Sequence, residues 1–342
     1  MSASDPSTPS SDSLYIHGGN LALARLAYAQ APEPWIDLST GINPICYPVP
    51  NLSAASWTRL PEENAVFALE TIAASAYGAR KGAQVVAAPG TQALIETLPR
   101  LFEAKRVGIL GFTYTEHASC WRHAGALVET VASVEALASF DVAIIVNPNN
   151  PDGRYVSVNE LLTLSETLAA RGGRLIVDEA FVDVMYEGAS FAPYLPGRGA
   201  IILRSFGKTY GLAGVRLGFA IAGLEDAALI RQAMGLWAVS GVAIEVGGKA
   251  LDDRAWLDAT REQLIIKAVR LDTMMRQIGL TVEGGTPLYR LLSSDRASDY
   301  FKRFCEAGIL VRAFRDKPNW LRVGLPGDAN EWALLEKRLK NL

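Results

Sequence analysis

The stretch LRSFGKTYGLAGVRLGF, residues 203–219, holds the tripeptide Gly207-Lys208-Thr209, and the reading of its lysine decides what kind of fold surrounds it. One reading is a loop that grips a nucleotide phosphate. It requires a second glycine five positions before Gly207, so that a turn of backbone N–H groups can wrap the phosphates. That position is Ile202, inside AIILRS, a β-branched apolar run that reads as a buried strand. The other reading puts Lys208 just past the end of that strand, as a nucleophilic amine for Schiff-base chemistry with an aldehyde. A solvated loop lysine fits the same local pattern, so the decision rests on what else the sequence delivers to strand ends.

Between about Val85 and Gly223, short apolar runs alternate with helical patterns, which predicts βαβ units and a mostly parallel sheet covered on both faces. The predicted strands are RVGILGF, VAIIVNP, RLIVDEAF, AIILRSF and LGFAIAG. Between them, TQALIETLPRLF places Leu94, Ile95, Leu98, Leu101 and Phe102 on one helical stripe, and NELLTLSETLAARGG ends in glycines suited to a C-cap. After Val242, REQLIIKAVRLDTMMRQIGL leads into GILVRAF and WLRVGLP, the pattern of a smaller α+β domain. The expected organisation is a polar, disordered tail over 1–13, a segment over 14–45 joining the small domain, a large domain over 46–241 and a C-terminal small domain over 242–342.

Composition narrows the ligand. A chain of 342 residues with 49% hydrophobic content can bury a substantial core, and a net charge of −3 without a basic block points away from nucleic acid and membrane surfaces. A small molecule is the expected partner. Cys46, Cys120 and Cys305 are widely spaced and include no CxxC pair, which argues against a disulfide framework or a zinc site and fits a reducing cytoplasm. No apolar run has the length of a bilayer span, and the opening MSASDPSTPSSDS lacks the apolar core of a signal peptide.

Polar residues gather past the strand ends, where open α/β sheets bind their ligands. At AAPGTQALIETL a strand ends at Pro89-Gly90 and a helix begins with Thr91 as its expected cap, a ready phosphate site. IIVNPNNPDGR carries three asparagines that a loop has no evident packing reason to need, and Asn150 is a candidate donor to a ligand. RLIVDEAF delivers Asp178, whose carboxylate needs a partner such as a pyridinium N–H. Each signal alone is an ordinary cap or turn.

Their order is specific. Gly90-Thr91, FTYTEHASCW, NPNNPDG, DEAF, then Ser205-x-x-Lys208 and Arg216 resembles the fold-type I pyridoxal-phosphate enzymes over essentially the whole chain after the tail. The resemblance implies an α/β fold with a mostly parallel large domain and a smaller α+β domain, a pyridoxal 5'-phosphate cofactor, and a homodimer. It makes Lys208 the catalytic Schiff-base lysine. Gly90, Thr91, Gln92, Ser205 and Arg216 would hold the cofactor phosphate, Asp178 the pyridine nitrogen and Asn150 the ring hydroxyl, while His117 stacks on the ring. Within that family the chain looks most like the histidinol-phosphate aminotransferase and threonine-phosphate decarboxylase branch.

Departures favour the decarboxylases. Phe181 replaces the tyrosine of the aminotransferases' DEAY, His117 stands where tyrosine is common, and Leu60 in RLPE replaces a tyrosine that reaches across the dimer. HGGN at 17–20 followed by STGINP at 39–44 resembles the opening pair of the threonine-phosphate decarboxylases of cobalamin biosynthesis. By that resemblance His17, Gly18, Asn43, Arg312 and Arg322 contact the substrate, with the arginines suited to its carboxylate and phosphate through bidentate hydrogen bonds. An aminotransferase acting on histidinol phosphate, and a non-catalytic assembly subunit, are the alternatives.

Overall fold

The computed structural model describes residues 18–49, 51–186 and 188–340; the expectations for the tail over 1–13 and for His17 lie outside them. The chain divides into two compact units, Met1–Ile45 with Glu262–Leu342, and Cys46–Arg261. The first begins with α1 (Leu21–Ala27), capped by Asn20, whose Oδ1 accepts the N–H of Leu23, and continues to β1 (Ile36–Asp37).

The large unit runs α2 (Ala54–Thr58), α3 (Glu63–Ala76), β2 (Gln84–Ala88), α4 (Thr91–Leu101), β3 (Arg106–Leu110), α5 (Thr115–His123), β4 (Leu127–Val131), β5 (Val142–Val146) and α6 (Val158–Ala169). It continues with β6 (Arg174–Asp178), β7 (Ala200–Ser205), α7 (Phe206–Thr209), β8 (Gly218–Ala222), α8 (Leu224–Met234), α9 (Gly241–Asp252) and the start of α10 (Arg254–Gln277). Its seven strands form one sheet in the order β2-β8-β7-β6-β5-β3-β4, parallel except for β8, which is antiparallel to both neighbours. All five predicted strands lie in this sheet. The unpredicted β4 is an edge strand whose LVETV faces solvent, so it has no buried apolar run to betray it.

The sheet is buried on both faces, which is why its strands read as continuous apolar runs. Along β6 and β7 successive side chains alternate: Leu175, Val177 and Ile202 join one core with Leu69, Phe191 and Phe219. Ile176, Ile201 and Leu203 join the other, under Leu94, Ile95, Leu98 and Phe102 of the predicted α4 stripe. The stripe's Leu101 is only partly buried. Helix α6 opens with a complete capping box, Ser157 and Glu160.

The unit boundary falls inside α10, at Arg261/Glu262, and not at Val242. Helix α9 packs against α2 and α3, and Trp256 of α10 stacks on Tyr210 at 5.5 Å, so these segments bury their apolar faces in the large unit. The remaining small unit holds β9 (Thr281–Thr286), β10 (Tyr289–Ser293), α11 (Ala297–Glu306), β11 (Ile309–Leu310), β12 (Arg312–Ala313), β13 (Trp320–Gly324) and α12 (Ala329–Leu339). GILVRAF, read as one strand, serves two sheets: β11 pairs with β1 in parallel, whereas β12 joins the antiparallel order β12-β13-β10-β9. The β9–β10 hairpin was not legible in TVEGGTPLYRLLS because its glycines and proline mask the alternation.

One charged cluster lies within the large unit's core. Arg204 of β7 donates to Glu179 Oε2 at 2.8 Å, pairs with Asp183, and covers the Tyr77 ring at 4.1 Å. Glu179 also accepts from Ser190 and from the Phe191 N–H. Burial pushes the Glu179 carboxyl up, against the pull of Arg204. Removing one partner leaves a buried charge uncompensated, which costs about 3–5 kcal/mol. Arg204→Ala is therefore expected to lower unfolding free energy by that amount, read by urea denaturation, while a loss under about 1 kcal/mol would show that the cluster hydrates readily.

Candidate active site

Sheet register assembles residues that are far apart in sequence. Gly218, the first residue of β8, pairs with Ala88 at the end of β2 and with Ser205 at the end of β7. Pro89, Gly90 and the start of α4 follow Ala88 directly, so Gly90, Thr91, Ser205 and Arg216 come to the same sheet end. The close packing depends on glycine. A Cβ on Gly218 would lie 2.6 Å from the Thr91 nitrogen, and one on Gly90, which has φ +86°, would lie 2.7 Å from Arg216 Nη2. Gly90, not Thr91, is the N-cap of α4; Thr91 is the first helical residue. Arg216 has φ 55°, an uncommon conformation for an arginine, and it turns the chain from the Lys208 segment into β8.

A helix N-terminus with open N–H groups, a serine and a guanidinium is the donor set of a phosphate monoester site. The cradle that Gly90 keeps clear beside Arg216 fits such a group. The Gln92 side chain is engaged by Tyr114, Glu96 and Glu116, which leaves its backbone as the part that can face a ligand.

Asp178 ends β6 and is buried. Its Oδ1 accepts the Ala180 N–H at 3.0 Å, and its Oδ2 lies 2.8 Å from His117 Nε2. His117, also buried, meets Tyr114 edge-on at 6.2 Å. The structure thus gives His117 a hydrogen bond to the Asp178 carboxylate, a contact that reading it as a ring-stacking residue did not foresee. Two positions 61 residues apart become one unit.

The asparagine loop corrects another expectation. Asn147 bonds both backbone groups of Val156, and Asn149 donates to Phe112 O and to Asp152 Oδ1. Both therefore brace the turn after β5, and the candidate Asn150 follows them in the same loop. Lys208 sits on the single turn α7, part-buried, with Nζ 6.0 Å from the centroid of the buried Phe181 ring.

In the small unit, Arg312 and Arg322 are direct cross-strand partners on β12 and β13. Arg322 is buried, donates to Ser39 O at 2.7 Å, and lies over the Tyr289 ring at 5.2 Å. Arg312 is 5.2 Å over Phe314. Burial and the neighbouring Arg322 push the Arg312 guanidinium down to about 10, and burial lowers Arg322 as well. Two adjacent cations so placed gain from a bound anion. Asn43, buried, accepts the Ile45 N–H in a local turn, and Gly18 lies against Ser39.

The residues missed from sequence are Glu179, Asp183, Arg204 and Ser39. A signal existed for three of them: charges inside the apolar runs RLIVDEAFVDV and AIILRSF require buried partners. Ser39 opens the STGINP motif, but its partners could not be read there because they are distant backbone groups and Arg322.

Among known proteins, the chain is 40% identical to the threonine-phosphate decarboxylase of Pseudomonas aeruginosa, over 94% of this chain and 96% of that one. It is 41% identical to the threonine-phosphate decarboxylase of a Sinorhizobium species, over 92% and 94%. Its fold matches the histidinol-phosphate aminotransferase of Sinorhizobium meliloti solved with pyridoxal-5'-phosphate, with a TM-score of 0.82, 16% identity, and 99% of each chain covered. That likeness places the two-unit architecture among the fold-type I structures. With residues 52–335 also matching the family model of aminotransferase class I and II, the chain belongs to the class I and II aminotransferase family.

Proposed function

We propose that the protein is a pyridoxal-phosphate-dependent decarboxylase converting L-threonine O-3-phosphate to (R)-1-amino-2-propanol O-2-phosphate and CO₂, a step of cobalamin biosynthesis. The observation that carries this reading is the pair of relatives at about 40% identity over more than nine-tenths of the chain, both named threonine-phosphate decarboxylase. The paired cations Arg312 and Arg322 fit a substrate with two anions. A histidinol-phosphate aminotransferase is the weaker alternative, since the relatives so named are less similar, at 27% for one from Mesorhizobium japonicum.

When bound, the cofactor supplies a protonated, electron-withdrawing ring that takes up the electron pair left as a bond at the substrate Cα breaks. The chain's own residues do the rest. The N–H groups at the start of α4, at Thr91 and Gln92, with Ser205 and Arg216, would hold the phosphate beside Gly90, whose own N–H donates to Ala88 O, and Asn150 would donate to the ring hydroxyl. Asp178 would keep a proton at the pyridine nitrogen, its carboxylate oriented by the His117 hydrogen bond. Lys208 Nζ would be the cofactor's attachment point, and its free amine would return a proton to the substrate Cα. Arg312 and Arg322 would bind the substrate's two anionic groups. His17, Gly18 and Asn43 belong to the same substrate-reading group. CO₂ release from threonine phosphate, with keto acid measured alongside, tests the reading: keto acid from histidinol phosphate without CO₂ from threonine phosphate would replace it with the aminotransferase.

The same proposal includes a homodimer in the cytoplasm. Trp57, Leu60, Phe67, Leu236 and Trp237 are all exposed on the large unit. Trp57 lies on α2, which Glu245 of α9 ties down through Ser53 and Ser56, and Leu236-Trp237 lead into α9. Apolar surface of this kind is what large obligate interfaces cover. Trp57→Glu with Trp237→Glu is expected to yield a monomer by light scattering. A wild-type monomer that is fully active at micromolar concentration would refute the dimer.

A further inference from the structure

The HGGN motif and the arginine pair lie at opposite ends of the sequence, and one buried residue joins them, its side chain meeting the turn and its backbone carbonyl the arginine. Ser39 is buried, with three sets of contacts. Its Oγ accepts the Gly19 N–H at 2.7 Å and donates to Asp37 Oδ1 at 2.6 Å. Its N–H donates to the same Asp37 oxygen at 2.9 Å. Its carbonyl accepts Arg322 Nη2 at 2.7 Å.

The Gly-Gly turn is shaped to that serine. A Cβ on Gly18 would lie 2.3 Å from Ser39 O, so only glycine allows the turn to approach the carbonyl that receives Arg322. Gly19 has φ +85°, and Asn20 then caps α1. The segment after His17 is therefore a tight turn anchored on Ser39, not a flexible entry to the helix. The other side of the β13 backbone is held just as closely: the Gly324 N–H donates to Leu38 O at 2.7 Å. A shift of Ser39 would move the Gly18-Gly19 turn and the Arg322 acceptor together.

We infer that Ser39 is a positioning residue that locks the Gly18-Gly19 turn and the Arg322 guanidinium into one geometry for reading the phosphorylated substrate. The inference rests on the proposed role of Arg322 as a substrate-anion ligand. Ser39 is not among the residues assigned to the cofactor or the reacting atoms, and its effect would be transmitted through Arg322 and the turn.

A double-mutant cycle on the holoenzyme tests it, with steady-state kcat and KM for threonine phosphate measured on wild type, Ser39→Ala, Arg322→Ala and the double variant. Ser39→Ala removes the Oγ and keeps the carbonyl. It is expected to raise KM about tenfold with kcat within about twofold, the scale of one buried hydrogen bond. The double variant should have the KM of Arg322→Ala within about twofold, because the serine acts through the arginine. Multiplying effects, or a Ser39→Ala protein with lowered melting temperature and unchanged KM, would overturn the coupling and leave a merely structural serine. An Arg322→Ala variant with wild-type KM would remove the anion-ligand reading itself, and the coupling with it. Should Ser39→Ala fail to fold, Asp37→Asn weakens the same anchor from outside. It should raise KM in the wild-type background and not in Arg322→Ala; an equal rise in both would count against the coupling.

Discussion

Lys208→Ala protein is expected to lose CO₂ release from threonine phosphate by about 10⁴-fold, the upper end of what one positioned proton-transfer group supplies, because the same amine is also the cofactor's point of attachment. The two losses separate experimentally. Borohydride treatment of wild type should trap the cofactor on the peptide containing Lys208, and the variant should give no such adduct. The proposed phosphate cradle at Gly90 and Arg216 does not include the lysine, so the variant should still bind the cofactor reversibly. A variant that forms the same reducible adduct would rule the assignment out. The tertiary context supports the expectation, since Lys208 stands on a single helical turn after β7, one strand over from Asp178.

The second large effect concerns substrate choice. Threonine phosphate differs from threonine by one anion, and a site built to pair it leaves guanidinium charge unmatched when it is missing. Losing a charge-assisted contact to a buried arginine costs roughly 2–5 kcal/mol, so threonine should be decarboxylated at least about thirty-fold less efficiently. Arg312→Ala and Arg322→Ala should each lower kcat/KM for threonine phosphate by a similar factor and leave the visible cofactor spectrum unchanged, since neither is assigned to the cofactor. The adjacency of the two cations sharpens this: removing either relieves repulsion on the other, so the second substitution should cost less than the first. Equal efficiency on threonine and its phosphate would contradict the phosphate-reading role.

The strands of the large unit were legible because burial on both faces forces near-continuous apolar runs, and α4 because its stripe repeats with the helical period. Elements without that signature were not. Edge strand β4 has no fully buried residue, and the β9–β10 hairpin is interrupted by Gly284, Gly285 and Pro287. The unit boundary was misplaced because a helix's sequence states which face is apolar but not which core receives it, and α9 proved to belong with α3.

By itself the sequence determined the order of its local features, a glycine at a helix start, an aspartate at the end of one buried strand and a lysine past another, and that order carries the resemblance that implies the chemistry. The tertiary structure decided their partners. Which carboxylate His117 would meet, that Asn147 and Asn149 would brace a turn, that Arg312 would face Arg322, and that Ser39 would join Gly19 to Arg322 all depend on strand register and backbone approach between distant segments. Register is fixed by burying whole faces at once, a cooperative result of the packed sheets that no short stretch of sequence encodes.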